Sequence, residues 1–163
     1  MATYISHSPA ETETLGETWG RAAESGLVIG LCGELGAGKT QLVKGLARGL
    51  GIKERVHSPT FALINSYSGG RLALFHLDLF RLETCEQIMA AGLEEYLSPA
   101  GVTVIEWAER WFGTVQSPKS KVQSQEHPVS SMQYPASSIP LRWVQIETLS
   151  ETERRITYED IGV

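Results

Sequence analysis

Gly33, Gly38, Lys39 and Thr40 lie in the stretch GELGAGKT, at the spacing G-x-x-x-x-G-K-[ST]. Residues of these types in this order can grip phosphate. The glycines, Gly36 among them, let the chain turn tightly and aim successive N–H groups at phosphate oxygens. A helix that starts at the end of the loop adds unpaired N–H groups and a partial positive charge. Lys39 then reaches the β- and γ-phosphates, and the Thr40 hydroxyl ligates Mg²⁺. A glycine-rich turn can match this pattern by chance, so the flanking elements decide. LVIGLC before it is an apolar run of strand length, and KTQLVKGLARGLG after it has Leu42, Val43, Leu46 and Leu50 at helical spacing.

A loop of this kind needs a carboxylate at the tip of a neighbouring strand. Glu106 ends the run GVTVIE, and Asp78 ends LALFHLD. The first run looks more like a buried strand, so Glu106 is assigned to the metal, directly or through water. Asp78 then orders a water or the metal's outer shell. The alternative for each is a solvated acid at a strand end. In HSPTF, Pro59 holds Ser58 extended and sets Thr60 at the mouth of the next strand. There Thr60 can touch metal or γ-phosphate and act as a switch. His57 and His76 are too scattered for a metal site and read as structural.

The elements that position these residues follow from pattern. SPAETETLGETWGRAAESG predicts a helix: Ser8 caps it, Pro9 enters its first turn, and Gly26 stops it. FALINSYSGGRLALFHLDLF alternates apolar and polar residues around Ser68-Gly69-Gly70, which predicts a β-hairpin after the loop's helix. ETCEQIMAAGLEEYL predicts a helix broken at Gly92, and AERWF a short one. LRWVQIETL and RRITYEDI predict two more strands. Alternating strands and helices give an α/β fold with a mixed sheet and helices on both faces. Residues 113–140 hold seven Ser, four Gln and four of the seven prolines, and are expected to form a mobile loop or insert.

At 163 residues the chain is expected to form one domain over 1–163. Its net charge of −5 argues against a grip on a nucleic-acid backbone by the chain alone. Cys32 and Cys85 form neither a disulfide framework nor a CxxC pair. The N-terminus has neither the basic start nor the apolar core of a signal peptide, so a soluble cytoplasmic protein is expected.

The ordered set of motifs resembles the TsaE (YjeE) family. It runs from Thr12–Gly16 (T-x-x-L-G) through GELGAGKT and SPTF (58–61) to H-x-D-L-F-R-L (76–82), GLEEYL and VIEWAER (104–110). The resemblance covers roughly residues 10–112, with a weaker echo in RRI near the end. It implies a P-loop NTPase-like domain that binds ATP with Mg²⁺ and hydrolyses it slowly alone. It implies partnership with TsaD and TsaB, which attach threonylcarbamoyl to an adenosine of tRNA. Contact with tRNA is then expected through the complex, and none with a membrane. By the same resemblance Gly33, Glu34, Leu35, Gly36, Ala37, Gly38, Lys39, Thr40 and Gln41 hold the nucleotide. Thr40 and Glu106 bind the metal, and Thr60 and Asp78 belong to the catalytic and switch-like parts. Trp107 packs near the nucleotide, Thr12 approaches the base, and Arg155 serves the nucleotide from the C-terminal strands. Gln41 stands where the family has a second threonine, and Phe80 where tyrosine is common.

Two other readings use the same loop. One is a small-molecule kinase, which the absence of arginine from 113–140 argues against, because a kinase lid of that kind is Arg-rich. The other is a regulatory module that binds nucleotide without useful turnover.

Overall fold

The computed structural model describes residues 1–59, 62–113 and 133–162. Seven strands form one sheet: β1 (Ala2–Ser6), β2 (Val28–Cys32), β3 (Ile64–Tyr67), β4 (Leu74–Asp78), β5 (Val102–Glu106), β6 (Leu141–Thr148) and β7 (Arg154–Ile161). Their order across the sheet is β1-β7-β6-β2-β5-β4-β3. The central strands β6, β2, β5 and β4 run parallel, while β3 and β7 are antiparallel to their neighbours. This is the mixed sheet expected from the alternation of elements. The proposed insert at 113–140 falls mostly outside the described residues.

β2 is buried at every position. Ile29 and Leu31 enter one core and Val28 and Cys32 the other, as the strand's two-residue period requires. Helices α1 (Pro9–Ala22) and α2 (Lys39–Gly49) cover the first face. Helices α3 (Cys85–Ala90) and α4 (Glu109–Phe112), with a 3-10 turn at Leu93–Leu97, cover the second. Gly92, at φ 76°, makes the break between α3 and that turn. The hairpin is β3 paired with β4, joined through residues 68–73.

Local chemistry sets the ends of α1. The Ser8 hydroxyl accepts from Glu11 N–H at 3.1 Å, and the Glu11 carboxylate accepts from His7 N–H at 2.6 Å. One free donor of the first turn and the N–H just before the cap are thereby satisfied. At the other end Arg71, from the hairpin connection, donates to the carbonyls of Gly20 and Ala23 at 2.7 and 2.8 Å. One arginine therefore closes the helix and ties it to the hairpin.

α1 lies directly on α2, and glycine makes that approach possible. Gly16 and Gly20 of α1 face the backbone of Leu42 and Leu46, while Gly45 and Gly49 of α2 face the carbonyls of Glu13 and Glu17. A Cβ at any of the four would overlap a carbonyl oxygen of the facing helix. Arg48 then reaches back across the seam to Glu13 and Glu17.

Candidate functional site

The loop 33–38 joins the end of β2 to the start of α2, between the strand and the helix that the sequence predicts. Gly38 caps α2 at φ 101° and Gly36 lies at φ 81°. L side chains rarely adopt this left-handed region, so the loop's shape depends on glycine there. A cavity of about 450 Å³ opens above the loop. It is lined by residues 35–41 together with Lys44, Ser58, Asp78, Phe80, Glu106 and Trp107.

Asp78 and Glu106 are register partners at the ends of β4 and β5. Both are buried, at 6% and 4% exposure, so neither is a solvated strand-end acid. Thr40, in the first turn of α2, donates its hydroxyl proton to Glu106 Oε1 at 3.2 Å. Asp78 accepts from the Ser58 hydroxyl at 3.1 Å and from Phe80 N–H at 2.9 Å. The second oxygen of Glu106 lies 2.6 Å from His76 Nε2, a ring with no exposure at all. A hydroxyl and two carboxylates form a small set of hard oxygen donors. That set suits Mg²⁺, which keeps several waters and takes phosphate oxygens alongside one or two protein carboxylates.

Lys39 is folded back onto its own loop. Its Nζ donates to the carbonyls of Gly33 and Glu34 at 2.6 and 2.9 Å and lies 4.1 Å from the centre of the Trp107 ring. Burial pushes its pKa below the usual 10.5, while Glu106, Glu109 and Asp78 pull it back up. Trp107 itself has φ 61°, uncommon for a residue with a side chain. That turn at the exit of β5 brings its ring beside the lysine. Arg110 stacks over the Trp107 and Phe80 rings, and donates to the carbonyls of Phe80 and Leu82 at 2.6 and 3.2 Å.

A second cavity, about 200 Å³, lies behind the loop and shares Gly36, Gly38 and Gln41 with the first. Ser8, Pro9, Thr12, Glu151, Thr152 and Arg154 line the rest of it. Thr12 is therefore close to the loop, although its hydroxyl is already bonded to Ser6 Oγ at 2.7 Å. The Oε1 atom of Gln41 is buried without a partner among the described residues.

The structure places Arg155 away from both cavities, paired with Glu147 at 3.0 Å, each about half exposed. Its neighbour Arg154 faces the loop and donates to the Ala37 carbonyl at 3.2 Å. Strand alternation explains the difference. Arg154 shares its face with Ile156, which is buried in the α1–α2 core, and Arg155 points to the other side. That parity was present in RRI and would have selected Arg154. Thr60 lies outside the described residues.

On the far flank of β2, the Cys32 thiol sits beside Glu109. Burial, then the Glu109 charge and hydrogen bond, push its pKa far up. A thiolate is thus strongly disfavoured at neutral pH. Iodoacetamide should modify Cys32 in the folded protein far more slowly than it modifies glutathione, as followed by mass spectrometry. Labelling at the glutathione rate would contradict this account of the thiol.

A family model described as "Threonylcarbamoyl adenosine biosynthesis protein TsaE" matches residues 6–133. A Treponema pallidum protein called tRNA threonylcarbamoyladenosine biosynthesis protein TsaE is 48% identical over 106 residues, 65% of this chain and 78% of that one. The Bacillus subtilis protein of the same name is 34% identical over 155 residues, 95% of this chain and 83% of that one. A crystal structure of Bacillus subtilis YdiB superposes with a TM-score of 0.71 at 30% identity, covering 99% of this chain and 86% of that one. The motif order, the sheet and these likenesses agree: the chain belongs to the TsaE family of tRNA threonylcarbamoyladenosine biosynthesis proteins.

Proposed function

We propose that the chain binds Mg-ATP at the loop 33–40 and hydrolyses it slowly alone, as a subunit that supports TsaD and TsaB in threonylcarbamoyl transfer to tRNA adenosine. The observation that carries this reading is the meeting of Lys39, Thr40, Glu106 and Asp78 around one cavity, with the Thr40 hydroxyl on the Glu106 carboxylate.

In this mechanism Lys39 leaves the Gly33 and Glu34 carbonyls and pairs with the β- and γ-phosphates. The loop N–H groups and the start of α2 hold the remaining phosphate charge. Thr40 and Glu106 would hold Mg²⁺, which when bound would neutralise phosphate charge. Asp78, fixed by Ser58 and Phe80 N–H, orients the attacking water. The ribose and base extend into the cavity of Thr12, Gln41 and Arg154. Lys39 and Lys44 are the cations among the described residues that line the phosphate cavity. Arg110 and Arg154 are bonded to backbone carbonyls. Charge that develops on the transferred phosphoryl group is thus under-neutralised, which suits slow turnover alone and stimulation by a partner.

Glu106→Ala should keep ATP binding in EDTA and lose Mg²⁺-dependent hydrolysis. Asp78→Ala should lower turnover with a smaller effect on Mg-ATP affinity. A Glu106→Ala protein of full activity, beside an inactive Asp78→Ala protein, would exchange the two roles. The reading as a whole is tested by co-purification: the chain should associate with TsaD and TsaB in the presence of ATP. No association, together with a phosphorylated small-molecule product, would point to a kinase instead. No helix among the described residues is long and apolar enough to cross a membrane. With a net charge of −5, tRNA contact is assigned to the partners.

A further inference from the structure

We propose that His76 is a positioning residue for Glu106, fixing one carboxylate oxygen so that the other stays turned to Thr40 and the metal. This rests on the reading of Glu106 as the metal's carboxylate.

Register explains how the two meet. His76 pairs with Val104, and Asp78 with Glu106, on parallel strands β4 and β5. Residues two apart on a strand share a face, so His76, Asp78, Val104 and Glu106 all point to the same side. His76 is the diagonal neighbour of Glu106, within reach of a long side chain. Its Nε2 lies 2.6 Å from Glu106 Oε2; the Thr40 hydroxyl is nearer to Oε1, at 3.2 Å, than to Oε2, at 3.5 Å. A carboxylate can only accept, so Nε2–H is the donor. The short distance fits a charge-assisted bond.

The ring has no other visible task. His76 is fully buried, and its Nδ1 is also buried, with no partner among the described residues. A histidine kept for packing would be matched or bettered there by an apolar side chain, because an unpaired buried nitrogen is unfavourable. This position tolerates that cost while its other nitrogen engages the one carboxylate that Thr40 also touches. Partners of this kind set the orientation of a ligating group. The effect should therefore appear as metal dependence, and not as loss of the nucleotide site.

The test measures ATP affinity by calorimetry with Mg²⁺ and with EDTA, for wild type, His76→Gln, His76→Asn and His76→Leu. Glutamine can place an amide N–H where Nε2 stands; asparagine is too short, and leucine has no donor. The gain in affinity from Mg²⁺ should shrink by about tenfold or more in the Asn and Leu proteins. It should be largely kept in the Gln protein, with affinities in EDTA close to wild type throughout. If His76→Leu does not fold, the comparison of Gln with Asn decides. Equal Mg²⁺ gains in Gln and Asn, or a full gain in a folded Leu protein, would overturn the positioning role alone. A wild-type protein whose ATP affinity is the same with Mg²⁺ and EDTA would overturn the metal reading of Glu106, and the positioning role with it.

Discussion

Replacing Lys39 with alanine should lower ATP affinity by about hundredfold, as the loss of one or two charge-assisted hydrogen bonds implies. The fold should survive the change. Lys39 is 6% exposed, yet the carbonyls that it bonds belong to Gly33, half-buried, and Glu34, exposed. Water can replace the ammonium at both once the side chain is gone. On the proposed reading the lysine would give up its hold on those carbonyls and on the Trp107 ring to bind phosphate, so its full interaction with phosphate would exceed the measured difference. Calorimetry with ATP, paired with a thermal melt, separates the two effects. An affinity within a few-fold of wild type would remove Lys39 from the site. An unfolded variant would mean that its bonds to the loop carry stability as well.

The second large effect is on stability. Gly45→Ala should destabilise the protein by about 2 kcal/mol or more, in the range typical of overpacking. Helix propensity alone points the other way, because alanine in a helix interior is favoured over glycine by about 1 kcal/mol. The added methyl would overlap the Glu13 carbonyl oxygen, part of the α1 backbone, which cannot turn aside as a flexible side chain can. The helices must separate, and Leu15, Trp19, Leu42 and Leu46 lose packing between them. Urea unfolding reads the result as a lower midpoint at unchanged slope. A midpoint that rises would show that α1 and α2 are not in the close contact described. Because α2 starts at the phosphate loop, weaker ATP binding should accompany the loss.

Much of the candidate site's geometry was legible before the fold. The loop, Glu106 and Asp78 stand next to strong local signals: an apolar run, a glycine pattern, and an acid at a strand tip. Those signals are short-range, and the structure keeps them. What the sequence hid depends on pairing between distant elements. His76 reads as a lone core histidine until the register of β4 on β5 brings it to Glu106. Arg154 and Arg155 are distinguished only by the face of β7 on which each stands. The glycines of α1 and α2 are ordinary helix residues until the two helices cross. β1 went unread because it is five residues long at the sheet's edge, largely exposed, and held by pairing with β7 at the far end of the chain.

Phosphate release from ATP, by the purified chain alone and with TsaD and TsaB together, tests the central claim most directly. The expected result is turnover far below the roughly 10 s⁻¹ typical of enzymes for the chain alone, a clear rise with both partners, and none with Lys39→Ala. Turnover of many per second by the chain alone would contradict the account. So would bound ATP with no phosphate released when both partners are present, which would make the chain a nucleotide-binding regulator.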